Sequence, residues 1–127
     1  MQTDLVTEYM EALRMAEHTD GVEVDNLCFE KGCGLVDAVN KGEIKDSLGL
    51  DLAMGFLEKQ ARESREKKAF KAGVKYATDA AKLCERVGDR GRAIVNYGEA
   101  GLYWEAARLC REVGDLRGVE RYLGMLD

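Results

Sequence analysis

The chain has 127 residues, a formal net charge of −5, and charged side chains of both signs making up 34% of it. That length suits one domain with a core of its own, and the acidic balance argues against a nucleic-acid binder, which would present a basic face. No run of about 18 apolar residues marks a membrane span, and no basic-then-apolar start marks a secretory signal, so the reading is a cytosolic protein whose four cysteines stay reduced.

The first helix is expected from Thr3 to about His18, capped by Thr3 or Asp4. Leu5, Tyr9, Leu13 and Ala16 form its apolar stripe, widened by Val6 and Met10, and Thr19-Asp20-Gly21 ends it. His18 is the sole histidine. It sits where a helix C-terminus favours a cation, and one histidine supplies neither a metal set nor a triad. A second helix is expected from about Asp25 to Asn40, with Cys28, Gly32, Leu35, Val36 and Val39 inward and Leu27 beside them. Gly32-Cys33-Gly34 is its weak point, since each Gly costs about 1 kcal/mol relative to Ala. Either the helix breaks there or a neighbour crosses closely. The loop is Asn40-Lys41-Gly42.

The third stretch, about Asp46 to Arg62, is capped by Asp46 or Ser47. Leu48, Leu52 and Phe56 make one stripe, and Leu50, Ala53, Met54, Leu57 and Ala61 another. So wide a face makes it the candidate core helix. No Gly or Pro interrupts the chain near Glu63-Ser64; a break there is still expected, because a single helix from 46 to 87 would be roughly 60 Å long. The next helix then runs from Ser64 to Val87.

From Ala80 the chain becomes periodic. Ala80-Ala81-Lys82-Leu83-Cys84-Glu85-Arg86-Val87-Gly88-Asp89 is echoed 26 residues on, from Ala106 to Asp115, and Gly101 lies midway between Gly88 and Gly114. Self-similarity at a fixed period marks stacked units. Gly suits the left-handed position that closes a helix, and Asp89 and Asp115 can cap the next one. Helices of about ten residues are marginal alone and must stack. Their apolar positions step by three and four: Ala93, Ile94, Tyr97, Ala100; then Tyr103, Ala106, Ala107, Cys110, Val113; then Leu116, Val119, Leu123, Leu126. The unit AARLCREVGDLRGVERYLGML resembles the tetratricopeptide-like helical repeats, including the related vesicle-fusion adaptor type. The likeness covers roughly Lys67 to Asp127. It implies a right-handed stack of helix pairs that binds proteins, with no catalytic residues.

The expected fold is all-α: six or seven antiparallel helices in one domain over 1–127, with N-terminal helices over 1–63 extending or capping a repeat stack over 64–127. Candidate partner-binding residues follow from the register. Lys82 and Arg108 lie 26 apart and share a face with Lys75 and Arg111, so a basic ladder facing the groove would suit an acidic peptide. An ordinary solvated face has the same composition. Asn96 and the lone Trp104 could add a hydrogen-bonding or stacking anchor, although a Trp at a repeat joint also serves as core filler. Asp4, Glu8, Glu11, Glu17, Asp20, Glu23, Asp25 and Glu30 face only Arg14, while Lys59, Arg62, Arg65, Lys67, Lys68, Lys71 and Lys75 outnumber nearby acids. The two segments could pair within the chain or across a dimer, or the basic one could dock a partner.

Cys84 and Cys110 recur in register, which points to packing. Cys28 and Cys33 have looser spacing than structural zinc uses, and on a continuous helix they point about 140° apart. No cofactor or metal is expected. The expected function is a non-catalytic adaptor module binding a protein or acidic peptide. The alternatives are a self-associating structural homodimer and a small metal- or thiol-dependent protein using Cys28 and Cys33.

Overall fold

The computed structural model describes residues 4–126, which form seven helices and no strand. In order these are α1 (Leu5–His18), α2 (Val22–Asn40), α3 (Ser47–Glu66), α4 (Phe70–Val87), α5 (Arg90–Glu99), α6 (Tyr103–Glu112) and α7 (Leu116–Gly124). The chain divides into two compact units, Met1–Ala53 and Met54–Asp127, and α3 starts in the first and finishes in the second.

In the first unit α1 packs on α2. Thr3 lies outside the described residues. Asp4 caps α1, its carboxylate accepting from the Val6 N–H at 3.0 Å. Ala12, Val24 and Cys28 form a core with Leu13, Ala16 and Leu27 against it. The Cys28 thiol donates to the Ala12 carbonyl at 3.2 Å. Glu8 pairs with Lys31 of α2 at 3.2 Å, so one of the eight N-terminal acids is matched inside its own unit. The helix break weighed at Gly32 does not occur: α2 runs unbroken through Gly32-Cys33-Gly34, with Gly32 buried. About 1 kcal/mol per Gly is small against the packing of a helix this long. Gly42 turns the chain out of α2 with a φ of 78°, and Asp46 caps α3 by accepting from the Gly49 N–H at 2.9 Å.

In the second unit the buried part of α3 is Met54, Phe56, Leu57 and Ala61. The break expected near Ser64 comes three residues later. Lys68 takes a left-handed φ of 63°, and the Ala69 N–H closes on the Ser64 carbonyl at 2.7 Å. The same closure recurs in the repeat: Asp89 to Cys84 at 2.9 Å, Leu102 to Tyr97 at 2.9 Å, and Asp115 to Cys110 at 2.8 Å. There the left-handed residues are Gly88, Gly101 and Gly114, with φ between 78° and 87°. Each such turn satisfies the orphan carbonyls of one helix and reverses the chain within two or three residues. Asp89 and Asp115 then cap α5 and α7, accepting from Arg92 N–H at 3.1 Å and Gly118 N–H at 3.0 Å. Leu102 holds the matching place before α6 and gives no side-chain cap.

Consecutive helices α4, α5, α6 and α7 pack in sequence. Next-but-one helices also touch. Glu58 of α3 meets Arg92 of α5, Glu85 of α4 meets Arg108 of α6, and Gly98 of α5 lies under Tyr122 of α7. Contact with the next helix and the one after is how a helical stack is built. Small residues let the backbones approach. A Cβ on Gly73 would lie 3.1 Å from the Arg65 side chain and 3.4 Å from the Ala61 carbonyl, and Ala61, Ala77 and Ala100 form a buried cluster beside it. Cys84 and Cys110 are fully buried at equivalent positions.

Candidate functional site

Glu85 is the node that positions α6. It accepts from the Tyr97 hydroxyl at 2.7 Å, and both its oxygens take the Arg108 guanidinium at 3.2 Å. Arg108 also bonds Glu105 at 2.8 Å and Glu112 at 3.4 Å. These last two pairs are the i,i+3 and i,i+4 neighbours of a helix face. Burial first, and the hydrogen bond to Glu85 second, push the Tyr97 phenol well above its ordinary range. The bond to Glu105 above all raises the pKa of the Arg108 guanidinium. Arg108 is therefore a structural cation, already held by three carboxylates.

Beside this node lies an open concavity of about 270 Å³, lined by Trp104, Glu105, Ala107, Arg108 and Arg111. Trp104, Ala107, Arg108 and Arg111 follow i, i+3, i+4, i+7, so all lie on one face of α6. Trp104 is 66% exposed, which settles against core filler. The Arg111 side chain has no hydrogen bond or ion pair among the described residues. An indole face and an uncommitted guanidinium two turns apart can stack on a planar group and take a carboxylate in a forked bond.

The other expected site residues fall elsewhere. Asn96 is 2% exposed, and its amide N–H group is engaged with Glu58 at 2.8 Å, the Arg92 carbonyl at 3.1 Å and Cys84 sulfur at 3.6 Å. It is a core residue, corrected from a surface anchor: the α5 face that carries it points at α3 and α4. Arg92 completes that network with two bonds to Glu58, at 2.9 and 2.6 Å. Lys75 is exposed and pairs with Asp79 at 3.8 Å. Lys82 is exposed without an ion pair among the described residues, and neither lysine lines the concavity. Of the sequence ladder only Arg108 and Arg111 line the concavity, Arg111 as the open cation, and Trp104, expected separately as an anchor, lies there with them. Glu85, Glu105 and Ala107 escaped the reading; the Glu-x-x-Arg-x-x-x-Glu spacing around Arg108 was the signal for two of its three partners.

A second concavity, about 330 Å³, lies between α5 and α7. Its charged groups are engaged. Arg121 sits 4.7 Å over the Tyr122 ring and donates to its hydroxyl at 2.9 Å, and Glu99 pairs with Arg65 at 3.2 Å. Nucleophile chemistry finds no support in the repeat thiols. Burial pushes Cys84 up to about 11 and raises Cys110, which disfavours the reactive thiolate. Cys28 is buried and Cys33 exposed, and neither is in a disulfide. Among the described residues no three His, Cys, Asp or Glu side chains gather as a metal set, and no helix is long and apolar enough to cross a membrane. Set against known protein families, curated proteins and solved structures, the chain matches none.

Proposed function

We propose that this chain is a non-catalytic interaction module of the tetratricopeptide-like kind, acting in the cytosol and capturing an acidic segment of a partner protein on the open face of α6. The observation that carries this is the pairing of a 66% exposed Trp104 with an uncommitted Arg111 in one concavity. A buried aromatic and a desolvated Arg are the residues that dominate binding energy at interfaces. Four cysteines outside any disulfide fit a reducing compartment.

Trp104 is the only tryptophan, so its emission reports this face alone. Titration with a Glu-rich 12-residue peptide shifts that emission saturably, and added salt weakens the binding. A Lys-rich peptide of equal length leaves the emission unchanged. Arg111→Glu abolishes the response with helicity intact; an undiminished response in that variant retires the reading. Self-association is the second reading, favoured by exposed Leu116 (70%) at the start of α7 and Met125 (50%) just past its end. Sedimentation across a concentration series separates it from capture of a different partner.

A further inference from the structure

The repeat register specifies what the open face of α6 meets. Shifted by 26 residues, Thr78, Ala81, Lys82 and Glu85 of α4 become Trp104, Ala107, Arg108 and Arg111 of α6. On α4 this face holds the next stacked helix, because Glu85 takes Arg108 at 3.2 Å. On α6 the same face is the concavity. The sign is inverted there, since Arg111 stands in the place of Glu85. A second contact shifts likewise. Arg90, at the start of α5, reaches Glu112 at the end of α6 at 3.9 Å. Its equivalent at the start of α7 is Leu116, which is 70% exposed.

We infer that the acidic segment is a short helix of a partner protein, docked on α6 as α6 docks on α4. This rests on the reading of α6 as the capture face. In the position of Arg108 the partner carries a carboxylate, to meet Arg111. Four residues on, in the position of Glu112, it carries an apolar side chain, to cover Leu116. Ala107 floors the face, as the fully buried Ala81 does on α4, and allows close approach of the two backbones. The code Glu-x-x-x-Leu on a helix accounts for the free cation and the bare leucine together. Charge complementarity and desolvation set the orientation.

The probe is a lactam-stapled helix with the sequence of Tyr103–Glu112 carrying Arg108→Glu, Glu112→Leu and Trp104→Ala. The control keeps Arg108 and Glu112. A third peptide has the coded composition with a central proline, which prevents a helix. Trp104 emission of the 127-residue chain reports binding. The coded helix binds about tenfold more tightly than the control, a difference of about 1.4 kcal/mol. Arg111→Glu in the protein inverts that preference. Leu116→Arg, in which the position regains the charge of Arg90, shifts preference back toward the Glu112 peptide. Both side chains are exposed, and that of Arg111 has no hydrogen bond or ion pair among the described residues, so circular dichroism should confirm unchanged folding. Equal binding of coded and control helices overturns the inference. Equally tight, Arg111-dependent binding by the proline peptide overturns the helix and leaves acidic capture standing. Failure of every acidic probe, helical or extended, overturns both. Concentration-dependent dimerisation that protects Trp104 makes a second copy the occupant and overturns the partner helix.

Discussion

Replacing Gly118 with Ala tests whether the last turn of the stack is built around a missing side chain. Gly118 is the third residue of α7. Helix propensity alone assigns the substitution a gain of about 1 kcal/mol. The packing reverses that sign. A Cβ there would lie 2.6 Å from the Cys110 sulfur and 2.6 Å from an Asp115 carboxylate oxygen. Neither atom yields cheaply. Cys110 is fully buried, and the Asp115 carboxylate is the cap that accepts from the Gly118 N–H itself at 3.0 Å. Overpacking costs about 1–3 kcal/mol and a lost cap about 1 kcal/mol. Subtracting the propensity gain leaves a net loss of about 1–3 kcal/mol. Urea unfolding followed by circular dichroism measures it, with the midpoint falling at constant slope. Gly34→Ala is the internal standard: it lies within α2, no atom sits within 4 Å of its added Cβ, and the gain is about 0.5–1 kcal/mol. In a Cys110→Ala background the cost of Gly118→Ala shrinks by about 1 kcal/mol, as coupled neighbours require. A raised midpoint for Gly118→Ala, or a cost indifferent to Cys110, refutes the reasoning.

Lys68→Gly removes the penalty of a left-handed non-glycine residue, and a thermal melt should show a gain of about 1 kcal/mol. Asn96→Asp sets a carboxylate beside Glu58 in place of the amide that donates to it at 2.8 Å; urea titration should show a loss of about 2–3 kcal/mol near neutral pH. Cys84 has a folded value near 11 against an ordinary 9.0. Its contribution is complete below pH 9 and is lost as pH rises through 11, because the unfolded thiol ionises first. The urea midpoint should therefore fall over that window less steeply in Cys84→Ala than in the parent chain.

Glycine followed by aspartate made the C-terminal turns readable, because each residue there has one conformational reason to be present. The turn at Lys67–Ala69 carries no such mark. A lysine occupies the left-handed position, and closure by the Ser64 carbonyl rather than residue type ends the helix. Gly32-Cys33-Gly34 misled in the other direction, since a local penalty cannot report the burial that outweighs it. At the site, the repeat register was enough to set Arg108 and Arg111 on one face, and Trp104, named apart from them as an anchor, lines the same concavity. Which cation stays uncommitted was not legible: it depends on Glu85, contributed from 23 residues away by another helix. Asn96 was misplaced for the same reason, as Glu58 reaches it across 38 residues of sequence.

The reversal of the chain within two or three residues, repeated without a single proline, has a kinetic consequence. Each helix finds its neighbours close by along the chain, so little loop entropy opposes the search. The slow peptide isomerisation that holds back many refolding chains has no site here. A molecule with such wiring regains its native form promptly after brief unravelling, and can be pulled open and reset without a lag.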